Sequence, residues 1–403
     1  MALVFMDGFD HLQTVDYDST MGYEEYNQLW YKWEKGYLLG DPEIGHDPDW
    51  LRRPAPSDWP IGYLIFNSVW YQAWIFRQFN EDHYNTLIFG YAFLGYPGFN
   101  QPNSPLIQFY DTDGNCILYH YPIDELGRVR LTIADGRYDN FNSYYGVIAD
   151  YYSDTYTTEE WTWYHVEVKV VFDGGTAGSV VVRVNETEVI NETGIQTYKT
   201  GGDSDGNYSF SQIKIEKGLH NTFLMDDFFV LDGEGSVAND FIGDVRIDTI
   251  YPNANGYYIN FDPNPSDNSN WENVKPYLYD IYLHPEVPLL REFDYTGTGA
   301  DPYTYNESDQ TDRECYQHES LLSLNKPIFG IQTNSIFRKT DAGQKRVEQF
   351  IRVNSTDYDS GRIIDVPDWN RNYYYPVTVN PNTTVAWTES DIASLQSGIK
   401  IVV

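Results

Sequence analysis

A chain of 403 residues is longer than one ordinary core requires and long enough for two, so two domains are expected. Hydrophobic residues at 41% and aromatics at 17% supply a packed interior and exclude a disordered chain, although 60 Asp and Glu against 26 Lys and Arg leave a formal charge of −34. An anionic surface without a basic stripe repels phosphate backbones and anionic bilayers, which excludes nucleic acid and membrane as expected partners.

The opening MALVFMDGFDHL lacks a positive region followed by an apolar run, so no signal peptide is expected. Then come IGYLIFNSVWYQAWIFRQF and YNTLIFGYAFLGY, aromatic and β-branched runs with poor helical periodicity, which read as strands. LIQFYDTDGNCILYHY holds two further strands around Asp113-Gly114-Asn115, where Gly or Asn accepts the positive φ of a tight hairpin, and VRLTIADGRYDNF repeats the device at Asp135-Gly136. In WYHVEVKVVF, Tyr164, Val166, Val168, Val170 and Phe172 share one face, with His165, Glu167 and Lys169 on a polar, solvated one. GSVVVRVNETEVIN puts Val180, Val182 and Val184 on one face and turns at Asn185-Glu186-Thr187, completing a hairpin.

The Gly- and Ser-rich acidic stretch DGEGSVAND reads as a link, dividing the chain into residues 1–238 and a smaller β domain at 239–403. Beyond it, YPNANGYYINFDPNPSDNSNW reads as loop. FGIQTNSIFRKTDAGQKRVEQFIRV reads as a long hairpin around Asp341-Ala342-Gly343, and GRIIDV as another strand. WTESDIASLQSG carries the best helix signal: Thr388 as N-cap, Asp391 at the third helical position, Trp387 and Ile392 as a hydrophobic staple, and Gly398 as the stop. IKIVV then resumes a strand, so the fold class is all-β with one short C-terminal helix.

Chemistry is hard to place on this pattern. Asp226, Asp227, Asp232, Glu234, Asp240, Asp244 and Asp248 crowd one stretch, but Asp226 and Asp227 are adjacent and would point to opposite faces of an extended strand, which is wrong for a hydrolytic pair. Asp203, Asp205, Asn207 and Ser209 match alternate ligand positions of a calcium loop, while Tyr208 and Lys214 stand where its Gly and bidentate Glu belong. Asp203, Asp205 and Asn207 are therefore the only metal candidates, calcium is the only cofactor they leave open, and a polar turn is the better reading. Histidines show no zinc spacing, and nucleophile-elbow and nucleotide-loop motifs are absent, so no catalytic or cofactor residue is assigned and no enzyme is expected.

Cys116 and Cys315 fall in different expected domains, which argues against a disulfide framework and for synthesis in a reducing cytoplasm. Without a secretory route, the N-x-S/T triplets at Asn185, Asn191, Asn207, Asn306, Asn354 and Asn382 read as turn-forming Asn and strand-forming Thr. The 36 Tyr, 11 Trp and 21 Phe exceed what a core uses, notably in NFNSYYGVIADYYSDTYTTEEWTWY and NRNYYYPV. Such a surplus suits a subunit interface or the faces of sugars.

Taken in order, FMDGFDHL, KWEKGY, LTIADGR, EEWTWYHVEVKVVF, GSVVVRVNETEV and FLMDDFFVLDGEGSVANDFIGDVRIDTIYP resemble the concanavalin A-like (laminin G-type) jelly-roll modules of tailed-bacteriophage virion proteins. NWENV, KTDAGQKRVEQFIRV and AWTESDIASLQSGIKIVV are similar to the portion that follows such modules. The resemblance implies an N-terminal jelly-roll sandwich and a smaller domain for attachment or oligomerisation. It implies a non-enzymatic virion structural protein, a capsid decoration, head fibre or tail component, made in the host cytoplasm. Expected partners are other virion proteins and copies of the chain itself, a trimer by analogy. The alternative is a lectin-like receptor-binding protein recognising host-surface glycan.

Overall fold

The computed structural model describes residues 3–7, 34–38, 43–45, 63–66, 72–94, 107–122, 124, 128–135, 146–154, 162–217, 223–264, 269–274, 303–306, 311–319, 327–340, 343–367 and 371–402. The chain divides into two compact units: the described residues up to Asp248 belong to the first and those from Thr249 onward to the second.

The first unit contains β1 (Leu3–Asp7), β2 (Glu34–Leu38), β3 (Glu43–Gly45), β4 (Tyr63–Phe66), β5 (Gln72–Tyr84), β6 (Thr86–Leu94), β7 (Ile107–Tyr110) and β8 (Cys116–Tyr121). It continues with β9 (Arg130–Ala134), β10 (Val147–Tyr152), β11 (Trp163–Val171), β12 (Gly178–Val184), β13 (Thr187–Ile195), β14 (Ser209–Lys217) and β15 (Phe223–Leu231). An eight-stranded sheet has the order β13-β12-β11-β6-β15-β4-β3, with β1 added along β15; a seven-stranded sheet has the order β10-β9-β8-β7-β14-β5-β2. These are the two layers of a jelly-roll sandwich.

Alternation of residue type decides which face each strand buries. Tyr164, Val166, Val168, Val170 and Phe172 turn inward together with Val180, Val182 and Val184, opposite Ile107, Phe109, Leu118, Leu131, Ile133, Ile213 and Ile215 of the other sheet. Among them lies His120, whose Nε2 sits 2.8 Å from the Tyr91 hydroxyl across the layer. Burial lowers its pKa to about 3, so it is a neutral core group. The β12–β13 hairpin closes through Asn185 and Glu186, both at positive φ, the form a two-residue turn requires. Gly114 likewise has φ +78 in the β7–β8 turn, whereas Gly136 lies outside the described residues.

The second unit holds β16 (Pro252–Ile259), β17 (Asp262–Asn264), α1 (Asn270–Val274), β18 (Tyr303–Tyr305), β19 (Arg313–His318), β20 (Ile331–Phe337), β21 (Arg346–Val353), β22 (Thr356–Asp365), β23 (Arg371–Val377), α2 (Glu389–Ala393) and β24 (Gln396–Val402). A five-stranded sheet has the order β16-β19-β24-β21-β22, and β17-β18 and β20-β23 form two small pairs. Ile351, Val353, Val377, Trp387, Ile392 and Leu395 make its main cluster.

Four expectations for this unit change. The stretch read as loop contains β16, β17 and α1, because Pro252 starts an edge strand where a missing amide costs nothing and bulges absorb the irregular residues. The expected hairpin around Asp341-Ala342-Gly343 does not pair its two strands: β20 pairs β23, and β21 pairs β22 through positive-φ Asn354 and Ser355. Thr388 does cap α2, in a reciprocal box with Asp391, but Gly398 lies within β24, opposite Cys315, and Ser394 is the C-cap. Tyr373 and Tyr374 of NRNYYYPV are buried, not surplus.

Candidate functional site

The two outer faces of the sandwich carry its polar side chains, and they differ. On the eight-stranded sheet the outward side chains are taken up by the segment that follows β15. Glu167 Oε1 accepts the amides of Ile242 at 2.8 Å and Gly243 at 3.0 Å; Lys169 pairs Asp240 at 2.9 Å; Arg183 lies 4.0 Å over the Phe241 ring. Asp227 accepts the Ile247 amide at 2.7 Å and Arg246 at 3.1 Å. Burial raises the Glu167 pKa, against the pull of the two amides and Arg183. Burial would also raise Asp240, but Lys169 and the Phe241 amide outweigh it and leave that carboxyl below the usual range.

The acidic stretch is thus structural, and one sequence argument about it is corrected. Asp227 has φ +51 at a bulge between Asp226 and Phe229, so the strand is not extended there and both carboxylates approach Arg246, at 3.1 and 3.7 Å. His165 is also not solvated: it is buried and stacked on Phe229. That same Phe229 ring explains Gly90, where an added Cβ would meet ring carbons 2.4 Å away.

The metal candidates serve a turn. Asp203 accepts the amides of Asp205 and Asn207 at 3.0 and 2.8 Å and the hydroxyls of Ser209 and Thr112 at 2.7 and 3.2 Å. Desolvation opposes ionisation there, and these hydrogen bonds overcome it, holding the carboxyl below its ordinary value. Asp205 and Asn207 supply backbone amides to this turn, so no ligand shell converges; among the described residues no group of acidic, His or Cys side chains is arranged to hold a metal.

The seven-stranded sheet presents something the sequence reading missed. Its register aligns one rank of outward side chains across six strands: Phe76, Lys214, Gln108, Tyr119, Thr132 and Asp150. Tyr121, Arg130 and Tyr152 form a second rank beside it. Gln108 donates to Glu216 at 3.0 Å, Lys214 donates to the same carboxylate oxygen at 2.6 Å, and the Tyr110 hydroxyl donates to the Gln108 carbonyl oxygen. Thr132 and Arg130 both donate to Asp150, with Arg130 at 3.0 Å and 4.9 Å over the Tyr121 ring. Arg128 lies 4.2 Å over Tyr152 and pairs Asp124 at 2.7 Å.

The middle of this face is buried and only its rim is exposed: Gln108 is 0% exposed, Tyr119 2% and Thr132 3%, whereas Tyr152 is 40% exposed. Cys116, Tyr119, Tyr121, Ala134 and Tyr110 pack as a floor, and burial pushes the Cys116 thiol up to about 12, so it is inert. Glu216 and Asp150 stand four strand spacings apart, about 19 Å at the usual separation, too far for a hydrolytic carboxyl pair. The signal that could have found the face is period two: Gln108 and Tyr110, and Gln212, Lys214 and Glu216, alternate with core residues.

No family model matches the chain, and no curated protein does. Solved structures do. An endo-β-1,4-glucuronan lyase from the fungus Trichoderma reesei is 11% identical over 49% of this chain and 90% of its own, with a TM-score of 0.35. The alginate lyase Aly36B is 13% identical over 57% and 96%, TM-score 0.31, and the carbohydrate recognition domain of Emp46p is 9% identical over 57% and 95%, TM-score 0.30. At these identities and TM-scores the likeness is loose, and the all-β sandwich is read from this chain's own two sheets. The expectation that no enzyme is present is corrected by the same finding, since the structures found include polysaccharide lyases as well as a recognition domain.

Proposed function

We propose that the first unit binds a glycan chain at the exposed rim of the outer face of its seven-stranded sheet. One observation carries the reading: Tyr152, 40% exposed, has the Arg128 and Arg130 guanidiniums 4.2 and 5.4 Å from its ring centroid, and Arg130 pairs Asp150 at 3.0 Å beside it. Rings offer apolar area to the faces of pyranoses at little entropic cost, and the flanking charged groups offer donors and acceptors to hydroxyls. Recognition by such a face resides in a few convergent polar groups on a rigid scaffold.

A glycan array probed with the full chain, followed by titration of the best ligand, tests this. Specific binding that is weakened in Tyr152→Ala, with folding intact, is the expected result. Binding that survives Tyr152→Ala unchanged would put the ligand elsewhere, and no binding to any glycan would remove the proposal.

A second reading places the chain in a phage particle. Its support is the sequence resemblance, together with the co-residence of β1, the β11–β12 hairpin and the Asp226-Asp227 strand β15 in one sheet. It is compatible with glycan binding and is tested by looking for the chain in purified virions; absence there ends it.

A further inference from the structure

We infer that the end of the second unit formed by Arg338, Lys339 and Arg346 is a docking surface for another copy of this chain, and that it fits that copy's acidic β12–β13 edge. The charge of the chain is unevenly laid out. Residues 331–403 hold 8 Lys and Arg against 8 Asp and Glu, so the whole of the −34 lies in residues 1–330. Within the neutral part, residues 338–346 carry four cations and one carboxylate.

The fold gathers that run at one place. β20 ends at Phe337 and β21 begins at Arg346; the Lys339 amide donates to the Pro367 carbonyl at 2.8 Å, and the Val366 amide to that of Lys345 at 2.8 Å. Arg338 is exposed, and Ile336, two residues before it along the strand direction, is 53% exposed. Among the described residues, Arg338, Lys339 and Arg346 hold no ion pair. Asp365 lies opposite Arg346 in the ladder but accepts the Gln344 side-chain amide at 2.8 Å instead. Elsewhere Lys199, Lys214, Arg246, Arg313, Arg352 and Lys400 each pair with a carboxylate. Cations left open on a chain with 60 Asp and Glu are free to meet carboxylates from outside.

The complement lies on the first unit of the second copy. β13 ends the eight-stranded sheet, paired with β12 alone, so one of its backbone edges is open. Glu186, Glu188 and Glu192, in its turn and along it, are exposed and pair with no cation among the described residues. Opposite charges gain at contact, whereas the mutual repulsion of two anionic chains is screened beyond about 8 Å at physiological salt. Ile336 adds apolar area beside the charges. Because the two patches differ, the contact is heterologous and repeats from copy to copy into a ring or an open chain.

Sedimentation and light scattering of the full chain at about 0.15 M and about 1 M salt test this. Wild type should exceed the monomer mass at the lower salt and fall to it at the higher. Arg338→Glu with Arg346→Glu should weaken association at least about tenfold, and Glu188→Lys with Glu192→Lys should do the same. All four substitutions in one chain should restore it, a rescue that a change in folding cannot give. A wild-type chain that is monomeric at both salts overturns the proposal, as does an oligomer indifferent to salt and to all four substitutions. Loss with the Arg pair but not with the Glu pair overturns the acidic edge as the complement. A monomer retained on heparin through Arg338 assigns the patch to a polyanionic sugar and overturns it equally.

Discussion

On the outside of the eight-stranded sheet, Glu167, Lys169, Arg183 and Asp227 each hold part of residues 240–247. On the outside of the seven-stranded sheet, Gln108 and Lys214 both donate to Glu216, and Arg130 donates to Asp150. Both faces use acidic, basic and aromatic residues. The difference lies in what fills the remaining valences. Backbone amides docked on Glu167 tie one face to a segment of the chain that follows it, whereas side-chain pairs tie the strands of the other to one another.

The largest effect expected belongs to the covered face. Glu167→Ala removes a buried acceptor of two partly buried amides and should cost about 1–3 kcal/mol in denaturant unfolding; a loss below about 0.5 kcal/mol would mean the segment is held without it. Glu167→Gln keeps an oxygen for both amides. Because burial raises the Glu167 pKa above its ordinary 4.5, its favourable contribution is complete below 4.5 and lost as pH rises through the raised value. The Gln variant should therefore be at least as stable as wild type at alkaline pH, its advantage vanishing in acid.

Next comes the layer the two faces share. His120 has its pKa lowered to about 3 from 6.5, so the stability it permits is complete above 6.5 and lost as pH falls from there toward 3. Acidification to about pH 5 should cost about 2 kcal/mol through this group. His120→Gln should flatten that part of the pH profile, and an unchanged slope would exclude His120 as its source.

Smaller effects are expected on the other face. Gln108→Leu leaves the Glu216 carboxylate and the Tyr110 hydroxyl without their buried partner and should cost about 1–3 kcal/mol of folding stability. Tyr152→Ala, at the exposed rim, should weaken glycan binding by only about 0.5–1 kcal/mol and shift stability by about 0.5 kcal/mol or less. If Gln108→Leu leaves stability unchanged, the side-chain pairs of this face do not hold its strands and the contrast between the faces fails.

Much of the sandwich was legible because period-two alternation is local. Val166, Val168 and Val170, and Val180, Val182 and Val184, announce both a strand and its inner face, and turn chemistry at Asn185 announces the hairpin. The second unit was less legible because β20 and β21 are adjacent in sequence yet pair with β23, β22 and β24, and nothing within either strand encodes a distant partner. The paired rank on the seven-stranded sheet was missed for the same reason. Phe76, Gln108, Tyr119, Thr132, Asp150 and Lys214 come from six strands whose order in the sheet departs from their order in the chain, while the conspicuous run from Asp226 to Asp248 was close in sequence and structural in effect.

The covering segment also decides where the protein can be divided. A fragment ending at residue 238 would lack Asp240, Phe241, Ile242, Gly243, Arg246 and Ile247, stripping Glu167, Lys169, Arg183 and Asp227 of their partners from that segment at once. A fragment ending at Asp248 retains them all. Anyone isolating the sandwich for crystallisation or display would obtain an aggregating sheet from the shorter piece and a self-sealed one from the longer, although the two differ only in residues 239–248.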